Sequence, residues 1–286
     1  MIAPALNTEA APRSPRLRLA QKLRKFGASA LGINAGRLAV AAVFLGLWQF
    51  GANRFFDPFF FGTPLAVFEK LMTELVNADF YNDLRVTAIE VAAGFSIGAS
   101  AGIVLGVLLA RWTYVASVVD PFLLGLNSIP RIALAPMLIV WFGIDMASKV
   151  FLGATLVFFI TFFNTIAGIR SVDKALCDVA RVQGASDRQI FTKVMLPSAS
   201  SWIMTGIKMS LPFALVGVII GEFLVSSHGL GYRLNAYSTS YNTVGAISMI
   251  IVMMILMMML TAIVDRLEAR IMRWRPARNL GPMAQP

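Results

Sequence analysis

The sequence holds few residues that could carry covalent or metal chemistry. Cys177 is its single cysteine and His228 its single histidine. An internal disulfide, a multi-cysteine zinc site and a cluster of histidine ligands are therefore excluded. The G-x-x-x-x-G-K-[ST] loop that binds nucleotide phosphates is absent from the sequence. We predict no catalytic residue, no metal site and no cofactor bound by this chain.

A second group of residues, charged or polar, lies inside apolar segments. Arg131 and Glu222 are charged, and Asn127, Ser128 and Asn164 are polar. An arginine at the centre of a membrane costs about 2.5–3.5 kcal/mol on insertion scales, so it has to face water, a carboxylate or an anion. We predict that these five residues line a pathway that accepts anions. Other interpretations stay open: Arg131 could snorkel from near the cytoplasmic end or pair with Asn164, and Glu222 could pair with a neighbouring helix.

The elements that must position these residues are long apolar helices. The chain is 57% hydrophobic and only 14% charged, with a mean hydropathy of +0.72, whereas soluble domains average about 25% charged residues. A transmembrane helix needs about 20 mostly apolar residues, and strands of a membrane barrel would be shorter and alternating. We therefore predict an all-α integral membrane protein. Its six candidate spans are 38–55, 86–110, 116–142, 147–169, 202–225 and 244–264.

Basic residues flank these spans unevenly. Eighteen of the lysines and arginines outside the spans lie on one side and five on the other. By the positive-inside rule, both termini and the loop 170–201 face the cytoplasm. A net charge of +10 that gathers beside apolar spans indicates contact with lipid and not with nucleic acid.

The same pattern predicts the domain organisation. Residues 1–36 form a basic cytoplasmic tail whose helical spacing suits an interfacial helix, and 276–286 form a second cytoplasmic tail. Between them, 37–275 form the transmembrane domain. Its external segment 57–85 includes an amphipathic helix over 64–76.

Glycines recur every four residues in the second span, at Gly94, Gly98, Gly102 and Gly106. This spacing puts them on one helix face, where the absence of side chains lets two backbones approach closely in lipid. The stripe could pack within the subunit or against a second copy of the chain.

A polar stretch, 177–197, interrupts the apolar segments between the fourth and fifth spans. Its order of capping and breaking residues predicts two short helices joined by a left-handed turn. In chain order the signals are Asp173 as a cap, Gly184 as the turn, Ser186 or Asp187 as the second cap, and Pro197 as the end of the unit.

This stretch resembles the cytoplasmic "EAA" signature of ABC importer permeases. That signature reads Glu-Ala-Ala, three residues, Gly, nine residues, Ile, one residue, Leu-Pro. Here the spacing is intact, with Asp178 in place of Glu, Val179 in place of the first Ala and Val194 in place of Ile. From about Leu84 to Trp274 the chain also looks like the permeases of the nitrate/sulfonate/taurine uptake group.

The resemblance implies a type I ABC importer permease of the bacterial inner membrane, with a cytoplasmic coupling helix between the fourth and fifth spans. It implies two ATPase subunits that use ATP and Mg, a periplasmic binding protein, a second copy of the permease, and a small anionic solute such as nitrate, a sulfonate or taurine. The residues implied in ATPase coupling are Asp178, Ala180, Gly184, Ala185, Leu196 and Pro197.

One alternative class is an ion-coupled secondary transporter or a channel. Such a protein should carry several buried acids, or broken helices paired in inverted repeats. This sequence has Glu90 and Glu222 within its spans and no obvious internal repeat, which favours the importer.

Overall fold

The computed structural model describes residues 30–55 and 57–272. All regular secondary structure in this part of the chain is helical. The expected interfacial helix near 14–26 and the tail 276–286 lie outside the described residues. The chain divides between Ala66 and Val67 into two compact units.

The first unit contains one long apolar helix. Helix α1, Ala30–Arg54, has 25 residues, which corresponds to about 38 Å and is enough to cross a bilayer. After it, the side chain of Asp57 accepts a hydrogen bond from Phe59 N (2.9 Å) and caps α2, Pro58–Phe61. Helix α3, Pro64–Val76, begins in this unit and continues into the second; its bounds match the amphipathic helix predicted from the sequence.

The second unit is built around long helices joined by short ones. The elements after α3 are α4 (Ala78–Arg111), α5 (Thr113–Ser128), a 3₁₀ turn (Arg131–Leu134), α6 (Ala135–Phe142), α7 (Met146–Arg170), α8 (Lys174–Val182), α9 (Asp187–Ile190), a π-helical turn (Phe191–Met195), α10 (Leu196–Val225), α11 (Leu230–Thr239) and α12 (Thr243–Ile271).

The number of membrane-crossing helices agrees with the prediction of about six. Five described helices are long and apolar enough to span a membrane, and α5 with the 3₁₀ turn and α6 make a sixth if counted as one broken span. The break bends the chain by 79°. Its cause is Pro130, because a residue that precedes proline is pushed out of the helical region; Ile129 has φ −66° and ψ 128°.

The glycine stripe packs inside the subunit, against α7. A Cβ atom at Gly94 would lie 2.9 Å from Val150 O, and one at Gly106 would lie 2.8 Å from Thr165 Cβ. Gly98 and Gly102 face the same helix in the same way. Their missing side chains therefore set how closely α4 approaches α7.

Glycines also bring α10 against the other side of α7. A Cβ atom at Gly217 would lie 2.6 Å from Gly153 Cα, and one at Gly168 would lie 2.5 Å from Trp202 Cβ. Helix α7 is consequently the centre of a three-helix layer. The buried residues that fill this layer are Val91, Ala99, Val157, Ala214 and Val218.

We expect Gly98→Ala to destabilise the protein. The added methyl group would meet Val157 Cβ at 2.8 Å and backbone atoms of Ala154, and overpacking of this kind costs about 1–3 kcal/mol. Thermal unfolding of the purified protein in detergent measures the effect. Gly125→Ala is the matched control, because no atom lies within 4 Å of a Cβ atom there. Equal melting temperatures for the two variants would contradict the packing described.

Candidate functional sites

The polar stretch forms a compact unit of α8, α9 and the π-helical turn, which we call the coupling unit (Lys174–Met195). Asp173 begins it by accepting a hydrogen bond from Ala175 N at 2.9 Å. Gly184, with φ +85° and no atom within 4 Å of a Cβ position, makes the left-handed turn after α8. Glycine is favoured there by backbone conformation and not by crowding.

The second helix of the coupling unit starts with a complete capping box. Ser186 N donates to Gln189 Oε1 at 2.8 Å, and Gln189 N donates back to Ser186 Oγ. Arg181 pairs with Asp178 on its own helix at 2.9 Å and connects the two helices through Asp187 at 3.6 Å. Exposed ion pairs of this kind contribute about 0–1 kcal/mol each, so they set the shape of the unit more than its stability.

Helix α8 presents an apolar face to its surroundings. Leu176, Val179 and Val182 are 53%, 57% and 89% exposed, and α8 has no buried residue. Their spacing of three places them along one side of the helix. An exposed apolar face on a charged helix marks a contact surface. The signature match drew attention to Asp178, Ala180, Gly184 and Ala185, and the apolar triplet was missed, although its spacing is visible in the sequence.

The sequence suggested that Pro197 ends the coupling unit. This prediction is wrong, because the chain stays helical through Pro197. Proline is tolerated in the first turn of a helix, and Pro197 occupies that place in α10. The π-helical turn before it shifts the hydrogen-bond register, so that Leu196 N donates to Phe191 O. One helical run therefore extends from Asp187 to Val225 over 39 residues, which is roughly 58 Å.

The coupling unit is anchored to the transmembrane layer at the base of this run. Phe191, Ile169 and Ala199 form a buried cluster with partly buried neighbours from α4. The guanidinium of Arg111 lies over the ring of Phe191, 5.4 Å from its centroid. Leu196 packs against the same cluster, so the coupling unit contacts α4, α7 and α10 at one place.

Arg131 lies near the middle of the transmembrane layer. Its guanidinium is 4.5 Å from the ring centroid of Phe159, a residue about 16 Å along α7 from Arg170 and about 20 Å from Met146. The guanidinium therefore lies beside the middle of α7 and not beside either of its ends. The arginine donates to the backbone and side-chain oxygens of Asn127, while its buried Nε has no hydrogen-bond partner among the described residues.

The other predicted pathway residues do not join Arg131. Ser128 is exposed and donates to Leu124 O. Asn164 donates to Ile160 O at 2.8 Å and packs against Gly206 of α10. Glu222 is 1% exposed and takes the pairing role left open above. The structure therefore brings together Arg131 and Asn127 alone out of the five.

Glu222 holds the loop before α11. Its carboxylate accepts hydrogen bonds from Thr87 Oγ1 and Gly231 N, both at 2.6 Å. The loop backbone donates further bonds to α4, from Gly229 N to Asp83 and from Leu230 N to Thr87, both at 2.8 Å. These acceptors satisfy the free N–H groups at the start of α11. A Cβ atom at Gly229 or Gly231 would collide with Glu222, which explains the Gly229-Leu-Gly231 sequence.

A cluster of charges joins α3 to α11 at the same end of the molecule. Glu74, 3% exposed, binds Lys70 and Arg233, both at 2.8 Å, and the hydroxyl of Tyr237. Burial opposes ionisation of Glu74, but the hydrogen bonds from Lys70 and Tyr237 and the charge of Arg233 outweigh it and lower its pKa below 4.5. Burial likewise opposes the charge of Lys70, but Glu74 raises its pKa.

The described residues contain no group of three or more His, Cys, Asp or Glu side chains placed to hold a metal ion. Cys177 is a free, half-buried thiol. His228 is exposed, with Nδ1 3.8 Å from Asp83.

Comparison with known proteins gives a consistent family. A model described as "Binding-protein-dependent transport system inner membrane component" matches residues 102–273. A putative aliphatic sulfonates transport permease, SsuC of Bacillus subtilis, is 30% identical over 271 residues, covering 94% of this chain and 98% of that one. A formylaminopyrimidine transport permease, ThiX of Halalkalibacterium halodurans, is 28% identical over 229 residues, covering 80% and 91%.

A solved structure shares the fold. A chain of the MetNI methionine ABC transporter, solved in inward-facing conformations, matches with a TM-score of 0.53 at 22% identity. The match covers 72% of this chain and 99% of that one. The agreement extends over nearly the whole of the matched chain, so the two chains share their helical fold.

The Glu74 cluster makes stability depend on pH. Because the pKa of Glu74 is lowered on folding, its contribution is complete above 4.5 and is lost as the pH falls through the folded value. Glu74→Gln should therefore cost about 1–3 kcal/mol at pH 7 and little under acid conditions. Thermal unfolding in detergent across this pH range tests the claim, with the exposed Glu69→Gln on the same helix as control. A cost for Glu74→Gln that did not change with pH would contradict it.

Proposed function

The chain belongs to the family of inner membrane components of binding-protein-dependent transport systems, and from that premise we propose how it is driven and what it carries. As a member it is a multi-pass, non-catalytic permease subunit of an ABC importer, and its partners are a binding protein and a separate ATPase. This membership replaces the alternative of an ion-coupled transporter or channel.

We propose that the ATPase docks on the coupling unit. The apolar face of α8 (Leu176, Val179 and Val182) supplies the contact area, and Gly184 and Ala185 allow close approach beside it. A shape of this kind fits a helix-in-groove contact. The ATPase subunit would bind and hydrolyse ATP with Mg, and this chain would bind neither.

The observation that carries the proposal is the continuous helix from Asp187 to Val225. A displacement of the coupling unit moves the base of α10, because no loop intervenes to absorb it. Through the glycine contacts of α7, the same displacement reaches α4. Closing of the ATPase pair would in this way reorient the transmembrane layer, provided that the two orientations bind the ATPase states unequally.

We further propose the topology and assembly. Both termini and the coupling unit face the cytoplasm, and the Glu74 cluster faces the periplasm, as the distribution of basic residues indicates. Two copies of the chain line one pathway and carry two ATPase subunits. Apolar side chains on the broken span are exposed in the single chain, with Phe122, Val140 and Trp141 at 70%, 82% and 65%. This exposure supports contact of the broken span with a second protein chain or with lipid.

For the solute, we propose an organic sulfonate. A relative that matches 94% of the chain at 30% identity is a sulfonate permease by name. Arg131 supports a negatively charged solute, because a guanidinium held in the membrane by Asn127 and Phe159 retains an unpaired Nε donor. The position of this residue at the break between α5 and α6 suits a pathway, since irregular backbone at membrane depth occurs where protein or a water-filled cavity covers it.

Docking on the coupling unit predicts that Gly184→Asp weakens co-purification of the ATPase. The carboxylate would project from an open surface with no neighbour within 4 Å, so the permease should still fold. Its affinity for the ATPase should fall at least about tenfold, the effect expected of one misplaced charge at a contact. Affinity purification of the tagged permease with its ATPase measures this.

Gly143→Asp is the matched control, because Gly143 has a similar φ of +82° and equally open surroundings at the opposite end of α7. It should retain the ATPase. Retention of the ATPase by both variants, with normal uptake, would contradict docking at the coupling unit.

The anion pathway predicts that Arg131→Gln lowers sulfonate uptake at least about tenfold, because one charge-assisted hydrogen bond contributes about 1.5–3 kcal/mol. Arg131→Lys should retain part of the activity. Uptake of a labelled sulfonate into proteoliposomes that contain the whole importer and its binding protein tests this, with the exposed Arg266→Gln as control. Full uptake by Arg131→Gln would exclude a role for this residue in the pathway.

A further inference from the structure

A cavity at the end of α7 away from the coupling unit has the features of a binding site. It has a volume of about 400 Å³ and lies between α4, the start of α7 and the loop that follows α10. Its size falls within the range of small-molecule sites. The polar residues that line it are Glu90, Asp145, Lys149, Ser226, Ser227 and His228.

The floor of the cavity holds a buried ion pair that is incompletely satisfied. Lys149 is 5% exposed, and its ammonium donates to Glu90 Oε1 at 3.2 Å and to Ser226 Oγ at 2.9 Å. An ammonium has three donors, so one N–H has no partner in the described part of the chain. Glu90 is 1% exposed and lies beside a second buried acid, Glu222, and its Oε2 atom makes no hydrogen bond within 3.5 Å in the described part of the chain. Unmet donors and acceptors are costly when buried, and a bound solute could satisfy both.

The Lys149 side chain is held in place by its surroundings. Its stem packs on Gly221 of α10, where a Cβ atom would lie 2.9 Å from Lys149 Cγ. Ser226, which accepts from the ammonium, is fixed in turn by hydrogen bonds with the backbone of His228. The Lys149 ammonium is therefore preorganised, so that binding of a solute does not have to order its side chain.

The wall of the cavity adds an uncapped helix N-terminus. Asp145 occupies the cap position of the 25-residue α7, but its side chain makes no capping hydrogen bond. The first N–H groups of α7 thus remain available, and the positive end of the helix dipole favours a negatively charged group beside Met146. Asp145 is exposed at the mouth, and among the described residues its carboxylate is in no ion pair.

The charges around the cavity select the class of solute. Lys149 and the start of α7 attract an acidic group, whereas Glu90 and Asp145 attract a cation. A simple anion would be repelled by the two carboxylates, and a simple amine by Lys149. A short molecule that carries both charges satisfies every group.

We propose that this cavity binds a small zwitterion, with its acidic group at Lys149 and the first turn of α7 and its ammonium group at Asp145 and Glu90. The inference rests on the proposed function and narrows the solute to an amino-sulfonate or a similar amino acid. In the proposed topology the cavity opens toward the periplasm. It would hold the solute after the binding protein releases it and before it reaches Arg131.

The test measures binding of labelled taurine (2-aminoethanesulfonate) and of ethanesulfonate to the permease–ATPase complex in nanodiscs, without the binding protein. Taurine should bind at least about tenfold more tightly than ethanesulfonate, because the ammonium adds charge-assisted hydrogen bonds. Asp145→Asn should weaken taurine binding about tenfold but should not weaken ethanesulfonate binding, because it removes a charge that repels a simple anion. Lys149→Gln should weaken the binding of both.

Asp79→Asn is the control, since Asp79 is an exposed acid that lines the adjoining cavity beside Tyr232 and does not line the proposed site; the variant should bind taurine as the parent does. Absent taurine binding, equal affinity for taurine and ethanesulfonate, or an Asp145→Asn variant with parental taurine affinity would overturn the assignment. Asp145 is exposed, so its variant tests the proposal even if Lys149→Gln fails to fold.

The two levels of the proposal can fail separately. Uptake of simple sulfonates by the complete importer, without taurine binding at the cavity, would remove this inference and leave the proposed function intact. Taurine binding that depends on Asp145, in an importer that takes up no sulfonate, would support the cavity as a binding site and contradict the proposed function.

Discussion

The close approach of α4, α7 and α10 is the constraint on which the rest of the structure depends. In a bilayer there is no hydrophobic force between helices, so packing of backbone against backbone has to hold them together. The contacts of Gly98 with Val157 and of Gly217 with Gly153 provide this packing on the two sides of α7. Because its contacts leave no free space, we expect a layer packed so closely to move as one rigid body.

This rigidity gives the two ends of the layer their roles. At one end the coupling unit is continuous with α10 and is anchored through Phe191. At the other end, α10 leads through Glu222 and Gly231 into α11, which Arg233 connects to Glu74 on α3. A force applied to the coupling unit is therefore carried along α10 to the cavity of Lys149 and the charge cluster beyond it. Binding of a solute at one end and ATPase closure at the other would act on the same helix.

Much of this arrangement could be predicted from local sequence. Glycines spaced by four revealed the packed face of α4, and Asp173, Gly184 and Ser186 revealed the coupling unit, because capping and turn chemistry act within a few residues. The prediction for Pro197 was wrong because it considered only the local tendency of proline to break a helix. In the structure, a π-helical turn precedes Pro197, and the helix continues through it. The apolar triplet of α8 was visible in the sequence, yet its exposure depends on what the fold leaves uncovered.

The contacts that escaped prediction join residues far apart in the chain. Lys149 and Glu90 are separated by 59 positions, and Arg233 and Asp83 by 150, so no local pattern pairs them. The position of Arg131 along α7 depends on the 79° bend between α5 and α6. A proline in the sequence indicates that a bend is present but does not determine its angle. Long-range pairing and bend geometry follow from the packed layer as a whole.

The most direct test of force transmission through the coupling unit is site-specific cross-linking in the assembled importer. Cys177 is the only cysteine in the chain, so Cys177→Ser provides a background in which Ala185→Cys is the sole attachment point. A short thiol-to-amine cross-linker at this position should capture the ATPase subunit, with a yield that changes between nucleotide-free and ATP-bound states, whereas Ser227→Cys at the opposite end should capture none. A yield at Ala185→Cys that is no higher than at Ser227→Cys, or that does not respond to ATP, would contradict the account.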